Sequence, residues 1–208
     1  LTPPISLGEI SEKIGINISD MQIAAVQGSN VYGVSGPNSD WDIAIVTNSF
    51  SGYGFFDFSV EGIEYDVHVY NVEEFQNRID RKEMRELEIL SYPNEAFMLK
   101  NIEINTSANK VQLIEKVREE SDILWYRAKS SLESKENQYQ ALKTIWHSIR
   151  FLVFAEQILR FGSIKNLSST NNLREDIVNS GQLSFSYFEN KFGGLREQMK
   201  SELGRHIG

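Results

Sequence analysis

Between Met21 and Asn71 apolar residues stand at every second position or in short continuous runs, and beyond Asn71 they recur at intervals of three and four. That change of period constrains the fold more than any other feature, because a side-chain period of two belongs to strands and one near 3.6 to helices. In Asp40–Thr47, Trp41, Ile43 and Ile45 alternate with Asp40, Asp42 and Ala44, so this is a strand with both aspartates on one side. Phe55–Val60 and Ile63–Tyr70 read as the arms of a hairpin turned at Glu61-Gly62, with Glu64, Asp66, His68 and Tyr70 on one face of the second arm. Met21–Val26 reads as a buried strand, and residues 6–15 carry helical spacing.

Helical periodicity fills the remainder, over 72–90, 110–132, 138–161, 172–180 and 187–203, with polar connectors at 132–137 and 162–172. The pattern predicts an α+β chain: a small mixed sheet with flanking helices over 1–104, then a helical half over 105–208. Trp41 and Tyr65 point away from the aspartates and read as core, while Trp125, Tyr126 and Trp146 read as core packing ahead of rings that stack a base. The acidic stretch Glu83–Glu88, interleaved with Arg81, Lys82 and Arg85, reads as a solvated helix face.

Composition narrows the chemistry. The 208 residues include no cysteine, which excludes disulfides, thiolate metal sites and thiol catalysis. A bound metal must therefore use oxygen or imidazole ligands, which favours magnesium or manganese. The net charge of −8 argues against a broad basic face for duplex nucleic acid. No run approaches the roughly 18 apolar residues of a membrane-spanning helix. The first six residues have neither the basic start nor the apolar stretch of a signal peptide, so the expected location is cytoplasmic.

Three aspartates, Asp40, Asp42 and Asp66, fall on strands near the glycine-serine pair Gly28-Ser29, which leaves one strand and opens the next element. Magnesium prefers oxygen ligands and commonly takes one or two carboxylates with substrate phosphates and water. Two carboxylates two apart on a strand can share a pair of ions, and a third from a neighbouring strand completes the attacking side of a two-metal site. A glycine turn lets backbone approach phosphates closely, and amides opening a helix favour anions.

The string Gly28-Ser29-Asn30-Val31-Tyr32-Gly33, continued by Pro37-Asn38-Ser39-Asp40-Trp41-Asp42, resembles the signature of DNA polymerase beta superfamily nucleotidyltransferases. The resemblance is to a bacterial and phage subgroup with a Gly-Ser-x-x-Tyr-Gly start and a Ser-Asp-x-Asp finish. Asp66-Val67-His68-Val69-Tyr70 matches the place of the third aspartate, and Lys143, His147 and Arg150 resemble a Lys, His and Arg pattern on a helix of that subgroup. The likeness runs from about Ala25 to Phe161, and nothing beyond Gly162 joins it.

The resemblance implies transfer of a nucleoside monophosphate from a nucleoside triphosphate, ATP first among the candidates, to an acceptor hydroxyl with release of pyrophosphate. Asp40, Asp42 and Asp66 would hold the metal and perform the chemistry. Gly28, Ser29 and Ser39, with Lys143, His147 and Arg150, would bind the nucleotide. Glu64 and His68 would support Asp66. An RNA end is the leading acceptor, with a protein or small molecule as other candidates. The competing reading is a non-catalytic module of the same fold that binds a partner protein, as an antitoxin or regulatory domain does.

Overall fold

The computed structural model of the chain describes residues 1–207. Two compact units are present, one formed by Leu1–Asp80 with Arg85–Ser107, the other by Arg81–Met84 with the chain from Ala108 onward. The architecture is α+β: a five-stranded mixed sheet with flanking helices, and a helical C-terminal half. Among the described residues no helix is long and apolar enough to cross a membrane.

The first unit begins with α1 (Leu7–Ile14), started by a reciprocal cap. Ser6 Oγ accepts from the Glu9 amide at 3.2 Å, and Glu9 Oε2 accepts from the Ser6 amide at 2.9 Å. Strands β1 (Met21–Gln27), β2 (Trp41–Thr47), β3 (Tyr53–Val60), β4 (Ile63–Asn71) and β5 (Phe97–Lys100) form a sheet in the order β3-β4-β2-β1-β5. Strand β2 runs parallel to β4, and the other pairs are antiparallel. Glu61 and Gly62 both have positive φ, 52° and 80°, the primed turn that keeps the twist of a two-residue hairpin.

The alternation read from sequence becomes the two faces of this sheet. Ile43, Ile45, Tyr65, Val67 and Val69 point to one side, where they form a buried core with Ile10 and Ile14 of α1, and Trp41 packs against it. Burying such side chains is worth about 1.5–3 kcal/mol each, which is why the apolar face decides the register. The opposite face carries the polar members of the same strands.

Two expectations need correction here. The helix expected over 72–90 is broken into α3 (Val72–Asp80) and α4 (Met84–Ile89), because Lys82 takes a left-handed conformation (φ 62°) and is buried. Nor is Glu83–Glu88 a solvated face: Glu86 and Glu88 are each 1% exposed. Glu86 meets Arg78 at 3.3 Å, and Glu88 accepts the hydroxyl hydrogen of Tyr32. Carboxylates go inside only when paired or hydrogen-bonded, and these pair with residues 8 and 56 positions away, beyond what local pattern reveals. Strand β5 was missed altogether; with four residues it is too short to display a period, and its pairing with β1 defines it.

In the second unit α5 (Lys110–Ser134) and α6 (Gln138–Phe161) are followed by α7 (Asn171–Val178), α8 (Phe185–Phe188) and α9 (Gly194–Leu203). Helical structure is continuous from α8 to α9 through a wide π turn at Glu189–Gly193. Trp125 and Trp146 are buried as expected, whereas Tyr126 is 62% exposed and is not core. On the turn after Trp125, Tyr126 points off the helix to solvent.

Candidate active site

The strand register assembles the polar face. Asp42 on β2 is the direct partner of Asp66 on the parallel strand β4, and Asp66 is in turn the partner of Asp57 on β3. On the other side of Asp42 its partner is Gln27, the last residue of β1. One row across four strands therefore reads Asp57, Asp66, Asp42, Gln27. Asp40 precedes β2 by one residue and is exposed.

Asp57 was not singled out from sequence, although counting back from the Glu61-Gly62 turn pairs it with Asp66. The effect of this company is electrostatic. Burial first, then Asp40, Asp57 and Glu64, push the Asp66 carboxyl above its ordinary range, while Arg85 pulls it down. A cation arriving at this row would offset the charge that raises Asp66.

Beneath Asp42 lies the glycine turn. Gly28 has φ 70° and ψ −147°, a conformation open to glycine alone, and a Cβ there would stand 2.1 Å from Asp42 Oδ2. The carboxylate thus occupies the space that a side chain at position 28 would need. The helix opened by this turn, α2 (Ser29–Tyr32), is a single turn, shorter than the element expected to lend its dipole to phosphates.

What holds the turn in place is Tyr32, 5% exposed, whose hydroxyl donates to Glu88 and lies 3.3 Å from that of Tyr92. Tyr32 is the tyrosine of the Gly-Ser-x-x-Tyr-Gly string, and its place in the site came only from the fold. Asn30 Nδ2 donates to the Asp40 carbonyl at 3.2 Å, tying α2 to the start of β2. Ser39, expected at the nucleotide, holds its own loop: its Oγ accepts from the Gly36 amide at 2.8 Å.

His68 sits one register step below Asp66 and is 6% exposed. Arg85 Nη2 lies 2.6 Å from His68 Nε2, and Tyr53 Oη lies 2.7 Å from His68 Nδ1. A guanidinium only donates, so Nε2 must accept and Nδ1 carries the hydrogen, donated to Tyr53. Burial, then Arg85 and Arg78, lower the imidazole pKa to about 3. Arg78 lies over the Tyr53 ring at 4.7 Å and joins Glu74 at 2.7 Å.

The sign of the linkage follows. Folded His68 binds its proton only near pH 3, whereas unfolded histidine binds it near 6.5, so stability is full above pH 6.5 and declines as pH falls towards 3. We expect the His68 Cε1–H NMR signal not to titrate between pH 7.5 and 5, and thermal stability to fall less steeply over pH 6.5–4 in His68→Gln than in wild type. A midpoint near 6.5 for His68 would refute this arrangement.

In the second unit α6 brings Lys143, His147 and Arg150 onto one helical face. Arg150 is 4% exposed, so that face is not simply solvated; its guanidinium lies 4.9 Å from the Trp146 ring and 5.3 Å from that of Phe154. His147 stacks at 4.6 Å on Trp146, and Lys143 Nζ lies 5.4 Å from the Tyr139 ring.

Among the described residues no three His, Asp or Glu groups converge closely enough to hold a metal ion by themselves. The donor set suits a cation that arrives with a phosphate ligand, since such a cation needs only one or two carboxylates from the protein. Asp42 and Asp66, in register on adjacent strands, are placed to supply them.

No family model matches the chain, and no curated protein matches it. Among solved structures a nucleotidyltransferase-like protein from Exiguobacterium sibiricum is similar, at 10% identity and a TM-score of 0.35, over 97% of this chain and 77% of that one. At that TM-score the likeness says nothing about the activity of this chain.

Proposed function

We propose that the chain is a metal-dependent nucleotidyltransferase that moves a nucleoside monophosphate from a nucleoside triphosphate to an acceptor hydroxyl. The observation that carries this reading is the row in which Asp42 and Asp66 stand in register on parallel strands, with the Asp42 carboxylate lodged over the bare backbone of Gly28. The spacing from Gly28-Ser29 to Asp40-Trp41-Asp42, and its resemblance to the polymerase-beta-type signature, supports it independently.

Asp40, Asp42 and Asp66 would hold magnesium or manganese. When bound, such ions offset charge on the transferring and leaving phosphates. The Gly28 turn leaves room for the Asp42 carboxylate, and the Ser29 hydroxyl would be a donor to the triphosphate. Asp66 takes the proton of the attacking hydroxyl, whose oxygen forms the new bond to the α-phosphorus as the bond to pyrophosphate breaks. On the resemblance, ATP is the nucleotide we favour. An RNA end is the acceptor we favour, on the same resemblance.

Titration calorimetry of wild type with magnesium and a non-hydrolysable analogue of each nucleoside triphosphate tests the reading. Binding of one analogue that requires magnesium is expected. Absence of binding by all four would overturn it and favour a partner-binding module.

A further inference from the structure

Gln27 ends the row of Asp57, Asp66 and Asp42, and it is the only member that is not an acid. Its side chain is 3% exposed, and Nε2 has no hydrogen-bond partner among the described residues. An amide donor buried without an acceptor destabilises a fold, so a donor kept in that condition beside a carboxylate calls for an explanation.

The neighbouring strand supplies one. Directly opposed residues on antiparallel strands stand about 5 Å apart at Cβ, so the Gln27 amide and the Asp42 carboxylate are within reach of each other. They are not joined, and the Asp42 carboxylate is instead turned over Gly28. A carboxylate that gives one oxygen to a cation is steadied when a fixed donor holds the other, and such supporting groups commonly set the affinity of the site.

We propose that Gln27 is a positioning residue for Asp42: its side-chain amide donates to one carboxylate oxygen once Asp42 turns its other oxygen towards a divalent cation in the row. The donor, without a partner among the described residues, gains its acceptor when the cation binds. This inference rests on the metal-binding reading of the row.

Gln27→Met keeps the length of the side chain and removes the donor. Without metal, Gln27→Met is expected to melt at the wild-type temperature or above it, since it deletes an unpartnered polar group. Its affinity for Mn²⁺ added with the non-hydrolysable ATP analogue, by calorimetry, is expected to fall about tenfold. In wild type the Gln27 side-chain NH₂ signals, assigned by their absence from the Gln27→Met spectrum, are expected to move on addition of Mg²⁺ with the same analogue.

Unchanged Mn²⁺ affinity in Gln27→Met overturns the proposal, whether or not the melting temperature drops. So do Gln27 amide signals that stay in place while the backbone signals of Gly28 and Asp42 respond. If wild type responds to neither ion, this inference and the metal reading fall together, whereas wild-type binding indifferent to Gln27 removes this inference alone.

Discussion

Asp42→Asn is expected to abolish magnesium-dependent binding of the nucleotide analogue and to lower transfer by about 1000-fold, while the protein folds normally. Asp42 is the residue on which every feature of the row converges: Asp66 on one side, Gln27 on the other, and the glycine turn beneath. Asparagine preserves its shape but supplies no charge to a cation. A lost metal contribution of several kcal/mol, at about 1.4 kcal/mol per tenfold, gives that magnitude. Full transfer by Asp42→Asn on a demonstrated substrate would sink the catalytic assignment. A large drop in melting temperature would show instead that Asp42 is structural.

Gly28→Ala is expected to cost about 3 kcal/mol of stability, a fall of roughly 6–12 °C in melting temperature. Two independent effects act at this position. The backbone, at φ 70° and ψ −147°, lies in a region that a Cβ disfavours sterically. The added methyl would also stand 2.1 Å from Asp42 Oδ2 and 2.9 Å from its Cγ, so the Asp42 carboxylate must turn away from Gly28. Gly33→Ala is the control: its φ is 74°, yet nothing lies within 4 Å of an added Cβ, so only a backbone cost of about 1 kcal/mol applies. Thermal melting of both variants decides the matter. Equal losses would mean that the close approach of Asp42 to Gly28 contributes nothing, and wild-type magnesium and analogue binding by Gly28→Ala would mean that the position of Asp42 does not matter.

Much of the first unit is legible in its sequence because strand period and turn chemistry are local properties. The alternation through Asp40–Thr47 places Asp40 and Asp42 opposite Trp41 and Ile43, and the Glu61-Gly62 turn defines the hairpin that carries Asp66. The apolar side of those strands then has one place to go, against α1. Asp57 was available by the same logic, since the turn determines its partner, but nothing in its immediate neighbours marks it out.

The remainder depends on contacts between residues far apart in the chain. Whether β4 lies beside β2, and in which register, decides that Asp42 faces Asp66, and no local pattern specifies that pairing. The burial of Glu86 and Glu88, which locally look like surface residues, depends on Arg78 and Tyr32 arriving to meet them. His68 is kept neutral by its burial first, and then by Arg85 and Arg78 from the two helices that follow its strand. The sequence by itself determined the types of strands β1 to β4 and of the long helices, and the residue kinds on the two faces of those strands, because these follow from period and turn. Only the tertiary structure decided which charges share a row, which acids are buried and which donor is left waiting, because electrostatics and hydrogen bonding act through space and at short range.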